Sequence, residues 1–410
     1  MIALQIIFWL SILTILHSYL FFPLIVRFLA KNREPNHIVH RPGTDADWPH
    51  LIVVMAVHNE EAVLEETLRS MVNSQYPAGH LEILVGSDNS TDRTNQILER
   101  FEENYPGMVK PHFFQGRNGK IRIVNQLVEK HRQRLTAEKG DYVLVQCDAN
   151  VSWSSQLPHQ LARHFKNPKI GLVGSNVLDS TSGRGGIAQE EDAYINRENQ
   201  IKYHEGIIWG RMMGAFGACY AMRGRLFEPT PEHFRCDDFF QTIRCFELGY
   251  HAIVEPEAIS YETVSEDIEE EFGRKTRISL GNFQNMARFR RFLFIPWHCG
   301  FGTFFAFWSH KGLRYFGPLF LAGAIITSAI LAFQYGIYLL AFLGIAATLA
   351  AAVIDGILAR YSRIHIKPLR FVRYFYLMNV ALIIGAAQFV VGEKTPTWTP
   401  AKRVAASEPS

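Results

Sequence analysis

The sequence predicts an α/β domain built on a doubly wound, mostly parallel sheet, with apolar helices flanking it at both ends of the chain. Three observations predict it. From Leu51 onward, short unbroken apolar runs alternate with stretches of helical period, the pattern of strands buried on both faces and joined by crossover helices. Apolar residues also crowd the chain ends, at 2–26 and 316–391, in runs long enough to cross a bilayer at about 1.5 Å per residue. Finally, acids stand at the ends of successive predicted strands: Asp88, Asp148 and, later, Asp237 with Asp238. In open α/β sheets ligands bind outside the carboxyl ends of strands.

Length and composition set the bounds. A chain of 410 residues holds one large catalytic domain plus a smaller module. Lys and Arg (42) nearly balance Asp and Glu (39), which gives no case for nucleic acid as a partner. The five cysteines form no CxxC pair, so a reduced compartment is expected, with neither a disulfide framework nor a zinc site. The 16 histidines show no metal-ligand spacing.

In chain order, residues 1–30 read as an anchor, whose apolar run 2–26 is followed by Arg27, Lys31 and Arg33. No basic segment precedes it and no small-residue cleavage site ends it, so it is expected to stay uncleaved, amino end outside and sequel cytoplasmic. Residues 31–50, with Pro35, Pro42 and Pro49, form a linker. LIVVMAV (51–57) is a buried strand, followed by a helix from Glu60 to Asn73 with Leu64, Leu68 and Met71 in period. EILVG (82–86) is the second strand, and Asp88 to Asp92 offer cap chemistry for a helix reaching Asn104. A strand at 110–114, a helix from Lys120, a strand ending at Asp148 and a strand at 170–174 follow. Helix 237–248 is closed by Gly249.

Beyond a domain of residues 51–285, the segment 286–314 is expected to lie in the membrane interface, its Phe and Trp flanked by Arg288, Arg290, Arg291 and Lys311. The region 315–393 offers three spans, 316–333, 335–356 and 374–391, and 394–410 is a tail. Arg360, Arg363, Lys367, Arg370 and Arg373 place the loop before the last span in the cytoplasm. That parity puts a tail carrying Lys394, Lys402 and Arg403 outside. Either the last segment is re-entrant or 292–308 spans.

The site motifs exclude two common nucleotide folds. No GxGxxG follows the first strand, and Gly116-Arg117-Asn118-Gly119-Lys120 is followed by Ile121 where a phosphate loop needs Ser or Thr. Taken singly, each acid also has a plainer reading, as a solvated turn residue (Asp148) or a helix-dipole partner (Asp237 and Asp238). Five motifs in order change the balance: VHNEEAVLEETLRSM, SDNSTDRT, GK followed by VNQL, CDAN, and DDFFQTIRCFELGYHAIVEPEA. From about residue 51 to 280 the chain resembles the membrane-bound inverting glycosyltransferases of family 2. These belong to the GT-A fold group that contains hyaluronan, cellulose, chitin and poly-N-acetylglucosamine synthases.

The resemblance implies roles. Val57, His58 and Glu60 line the nucleotide pocket, Asp88 contacts the uracil of a UDP-sugar, and Lys120 lies near the base or diphosphate. Asp148 coordinates Mg2+ or Mn2+, with Asn150, a neutral ligand, in place of a second acid. Asp238 is the general base beside Asp237. Arg274 and Arg277 occupy the place of a diphosphate-clamping Q/RxxRW motif whose Trp is here Ile278, which speaks against processivity. The stretch 214–223, with Gly217 and Cys219, matches the acceptor side, although a Gly-bent core strand is an equal reading. Trp398 and Arg403 match a tail motif of the synthases.

From the residues themselves, Trp209 offers a surface for stacking on an acceptor sugar, against simple packing, and the two arginines beside a membrane also suit anionic lipid. The expected protein is therefore a multi-pass inner-membrane enzyme with a cytoplasmic catalytic domain, serving exopolysaccharide or cell-envelope glycan synthesis. It moves a sugar from a nucleotide donor to a saccharide or lipid-linked acceptor. Single transfer onto a glycolipid, or an inactive nucleotide-sugar-binding subunit of an export complex, are the alternatives. Donor sugar and oligomeric state stay open.

Overall fold

Seven consecutive apolar residues make β1 (Leu51–Val57) a strand that has to be covered on both faces, and Leu51 to Met55 are buried to 1% or less. The structure is a computed structural model that describes residues 1–33, 36–41, 47–180, 188–263, 268–361 and 366–392. It divides into two compact units, Leu29–Ser265 with Lys394–Ser410, and Met1–Phe28 with Glu266–Glu393.

The first of these units holds β1, β2 (Leu81–Asp88), β3 (Val109–Phe114), β4 (Val143–Cys147), β5 (Val151–Trp153), β6 (Ile170–Asp179), β7 (Cys219–Arg223) and β8 (His251–Glu262). They form one sheet in the order β3-β2-β1-β4-β7-β6-β8-β5. β3, β2, β1 and β4 are parallel, and the order turns at β1, so a crevice opens beyond the carboxyl ends of β1 and β4. β7 runs antiparallel between β4 and β6, β8 is parallel to β6, and β5 is antiparallel to β8.

Most predicted elements are present, with shifted edges where local chemistry intervenes. The helix expected from Glu60 begins at Leu64. Before it, Asn59 adopts a left-handed φ of 52° and the Glu60 amide donates to Thr94 Oγ1 at 2.9 Å, so the chain turns first. The stretch 214–223 divides into a loop, with Gly214 at φ 89°, and the core strand β7.

In the other unit, three helices are long and apolar enough to cross a membrane, Ile2–Ala30, Gly336–Ala359 and Lys367–Val391. A further pair, Phe301–Tyr315 and Gly317–Leu331, meets the same criterion together but is bent by 62°. The predicted span 316–333 is thus the second half of a broken helix. Segment 290–307 is cut into short helices at Pro296 and at Gly300, whose φ is 82°. Trp398, Lys394, Lys402 and Arg403, named in the tail, lie outside the described residues, as does Arg363.

Candidate active site

The site is assembled by loops that leave the carboxyl ends of β1, β2 and β4. Val57 is the buried last residue of β1. After it, His58 Nδ1–H donates to the Asp88 carbonyl at 2.8 Å, and Asn59 Oδ1 accepts the Thr91 amide at 2.8 Å. Glu60 is buried where its amide meets Thr94. Exits of β1 and β2 are therefore latched to each other.

Asp88 ends β2, and its carboxylate organises the next element. It accepts the amides of Asn118 at 2.7 Å and Gly119 at 2.8 Å, with Arg117 Nε at 3.6 Å. Gly119, at φ 85°, opens helix Lys120–Lys139, a backbone angle that suits glycine. Lys120 is thereby fixed at the first helical position. Its ammonium bonds Asp148 Oδ1 at 2.7 Å and lies 3.8 Å from Asp237 Oδ2.

Asp237 and Asp238 begin helix Asp237–Glu247. Asp238 Oδ1 accepts the Phe239 amide at 2.7 Å, and Thr242 Oγ1 donates to the Asp238 carbonyl at 2.8 Å. A Cβ on Gly217 would stand 3.2 Å from Asp238 Oδ2, so the bare backbone there leaves the carboxyl approachable. Beneath the acids, the Tyr220 hydroxyl bonds Gln146 Oε1.

Four charges share this space, and their protonation follows. Burial alone would push Lys120 down, but Asp148, Asp237 and Asp238 together hold the ammonium above the usual lysine range. Burial and the neighbouring Asp237 push Asp238 up to about 6, against the Phe239 amide, Lys120 and Lys202. Burial and the same three carboxylates raise Tyr220. Asp237 Oδ2 has no hydrogen-bond partner among the described residues.

Among the described residues no three His, Cys, Asp or Glu side chains are grouped to hold a metal ion. What is present is one carboxylate, Asp148, and the unpartnered Asp237 Oδ2 within reach of the same ammonium. That donor set fits Mg2+ or Mn2+, which take one or two carboxylates and complete the shell with phosphate oxygens and water. Asn150 is buried, its amide nitrogen 3.5 Å from the Thr263 carbonyl.

Residues 144–355 match the family Glycosyl transferase family group 2, and residues 52–234 match Glycosyl transferase family 2. The chain belongs to glycosyl transferase family 2. It is 27% identical over 256 residues to the probable glycosyltransferase YdaM of Bacillus subtilis, covering 59% of this chain and 57% of that one. It is 30% identical over 182 residues to a beta-monoglucosyldiacylglycerol synthase of Synechocystis, covering 43% and 36%. Identity is 26% over 175 residues to a poly-beta-1,6-N-acetyl-D-glucosamine synthase of Staphylococcus epidermidis, covering 42% and 39%. The match thus spans 57% or less of the length of these relatives. A mannosyltransferase of Pyrobaculum calidifontis, solved with GDP-Man and Mn2+, superposes with a TM-score of 0.63 at 20% identity, over 94% of this chain and 99% of that one. The fold of this family 2 chain is accordingly GT-A.

Of the residues singled out from sequence, Lys120, Asp148, Asp237, Asp238 and Gly217 converge, with Asp88 and His58 behind them. Others stand apart. Cys219 is fully buried in the core opposite Cys147, so its thiol presents no surface to an acceptor. Trp209 ends helix Ala188–Trp209 beside Gly210, which packs on His251, and Arg211, which bonds the Phe246 and Tyr250 carbonyls. Phe246 is at the far end of helix Asp237–Glu247 from Asp238, about 12 Å along its axis. Arg274 and Arg277 lie in the other unit, on helix Ile268–Arg288, where Arg274 makes a two-point pair with Glu271 at 2.7 and 3.1 Å.

Lys202 escaped sequence reasoning. It is buried on helix Ala188–Trp209, its ammonium 3.2 Å from the Phe216 ring centroid, and its charge reaches Asp238. The helix buries Glu191, Glu198, Lys202 and Glu205, spaced seven, four and three apart. A period carried by charges instead of apolar residues was the available signal.

Proposed function

We propose that this protein is an inverting glycosyltransferase that moves a sugar from a nucleoside diphosphate donor, a UDP-sugar, to a saccharide or lipid-linked acceptor at the cytoplasmic face of the inner membrane, for envelope glycan or exopolysaccharide synthesis. The observation that carries the reading is the cluster of Lys120, Asp148, Asp237 and Asp238, with Gly217 open against the Asp238 carboxyl.

Asp238 accepts the proton of the acceptor hydroxyl as its oxygen bonds the anomeric carbon and the bond to the diphosphate breaks on the opposite face. Its raised pKa, about 6, keeps it basic enough to take a proton yet ionised at neutral pH. Lys120 places a fixed positive charge where the leaving diphosphate gathers negative charge. Asp88 and the latched β1 exit hold the nucleotide side. A divalent cation held by Asp148 with Asp237 would supply further neutralisation of the diphosphate when bound. The relative solved with GDP-Man widens the donors to be tested beyond uridine.

Whether one sugar or many are added is a second question, and Ile278 favours single transfer. A glycolipid-forming relative and a polymer-forming relative match the chain at similar identity.

Nucleoside diphosphate release from a panel of UDP- and GDP-sugars by the detergent-purified chain, with Mn2+ or Mg2+ and lipid and saccharide acceptors, tests the reading. One donor should be turned over, and Asp238→Asn should lower release by about two orders of magnitude or more. Release untouched by Asp238→Asn would remove Asp238 as base, and a product ladder would replace single transfer by polymerisation.

A further inference from the structure

Helix Leu157–Ala162, continued by the 3-10 turn Arg163–Lys166, turns Leu157, Leu161 and Ala162 into the core. Gln156, His159, Gln160 and Arg163, at spacings of three, four and seven, form its other face, and each can donate a hydrogen bond. Together with the polar segment that leads to β1, this face encloses a cavity of about 360 Å3. Three imidazoles (His37, His40, His159), two guanidiniums (Arg41, Arg163) and Trp48 line it, and no carboxylate does among the described residues.

The walls are pinned. Trp48 packs edge-on against the His159 ring at 4.8 Å, and the Tyr76 ring meets it at 5.2 Å. The His40 amide donates to the Arg163 carbonyl at 2.8 Å, and Asn167 Nδ2 donates to Asn36 Oδ1 at 2.9 Å. Two acids lie nearby, Asp47 3.6 Å from His40 and Glu257 3.6 Å from Arg163, but they are 80% and 69% exposed and face solvent. Inside, His159 Nδ1 and Arg163 Nε are buried without a hydrogen-bond partner among the described residues. The Arg163 guanidinium is otherwise engaged, its Nη1 donating to Gln160 Oε1 at 2.8 Å, so the buried Nε–H is the donor that lacks an acceptor, and leaving such a group unbonded is destabilising.

The cavity is separate from the donor site. Trp48 precedes β1, whereas His58 follows it, so the two lie at opposite ends of a strand roughly 20 Å long.

We propose that this cavity is an anion site that takes the phosphate group of a phosphomonoester or phosphodiester. Several phosphate oxygens can accept at once from a planar guanidinium and from ring nitrogens, which one carboxylate does less well. The same chemistry is offered by an anionic lipid headgroup and by a free phosphorylated solute. Asn36 follows the apolar helix Ile2–Ala30 by only six residues in sequence.

Calorimetric titration of the full-length, detergent-purified chain with inorganic phosphate tests the site, comparing wild type with the double variant His159→Gln, Arg163→Gln. Phosphate affinity should fall at least tenfold in the variant, with sugar-nucleotide turnover unchanged. If the double variant loses its thermal transition, His159→Gln alone carries the comparison. Native mass spectrometry then separates the sources. Retention of phosphatidylglycerol over phosphatidylcholine that the variant loses marks a headgroup site, and equal lipid retention with weakened phosphate binding marks a free phosphate ester. Isotherms and lipid retention identical in wild type and folded variant would overturn the proposal.

Discussion

Asp238 is held between opposing demands. Burial and the adjacent Asp237 favour its protonated form, while the Phe239 amide, Lys120 and Lys202 favour the carboxylate, and the balance falls at about 6. Only the carboxylate can accept the acceptor's proton, so activity should rise with pH through that value. A kcat/KM profile of the purified chain is expected to climb to a plateau with its half-maximum near pH 6, and a profile flat from pH 4 to 8 would contradict the assignment. The stability sign is opposite. A carboxyl whose folded pKa exceeds its unfolded value contributes stability that is complete below the unfolded pKa and is lost as pH rises through the folded one. Catalytic competence and this group's share of stability are thus exchanged over one pH window. Asp88 and Asp148 were legible in the sequence because each stands where an apolar run stops, whereas Asp237 and Asp238, counted among the strand-end acids, open helix Asp237–Glu247. Lys202 and Tyr220 were not: Lys202 acts on Asp238 from helix Ala188–Trp209, and Tyr220 meets the acids only because β7 lies beside β4, arriving antiparallel from far along the chain.

At the scale of elements, close approach decides what tolerates change. Gly385, on helix Lys367–Val391, has no room for a side chain: a Cβ would lie 2.4 Å from Ser279 Oγ and 2.8 Å from the Leu280 backbone nitrogen on helix Ile268–Arg288. Ser279 Oγ also donates to the Leu382 carbonyl at 3.2 Å, so the two helices are joined where they touch. Gly385→Val should cost about 1–3 kcal/mol by overpacking, read as a lowered thermal midpoint in detergent. Gly344→Val, which meets nothing within 4 Å, should leave it unchanged. Elements differed in legibility for related reasons. β1, β2 and β4 announce themselves because burial on both faces forces continuous apolar runs. β8 does not, because Pro256 and Glu257 interrupt it, and the ladder with β6 absorbs them in a register shift between Gly174 and Asn176. Helix Ala188–Trp209 is hidden because the charged Glu191, Glu198, Lys202 and Glu205 share its buried side with Ile195 and Ile201 as the only large apolar residues among the described ones.

Across the whole molecule, membrane topology turns on the bent pair Phe301–Tyr315 and Gly317–Leu331. If the amino end lies outside, as the basic residues after the first helix favour, that helix crosses to the cytoplasm. If the bent pair crosses, Gln334 emerges outside, Gly336–Ala359 returns, and Arg360, Arg363, Lys367, Arg370 and Arg373 fall in the cytoplasm. If the pair dips and returns on the same side, every one of those five cations is placed outside. The positive-inside bias favours crossing, and the 62° bend is then a break within one span, with Gly317-Pro318 just past Phe316 as its cause. Because all five native cysteines are buried, an added one reports without background. Gln334→Cys should react with a membrane-impermeant maleimide in intact cells. Labelling only after permeabilisation would make the pair re-entrant, and the charge bias would then have to be overruled by the packing of Lys367–Val391 against its neighbours.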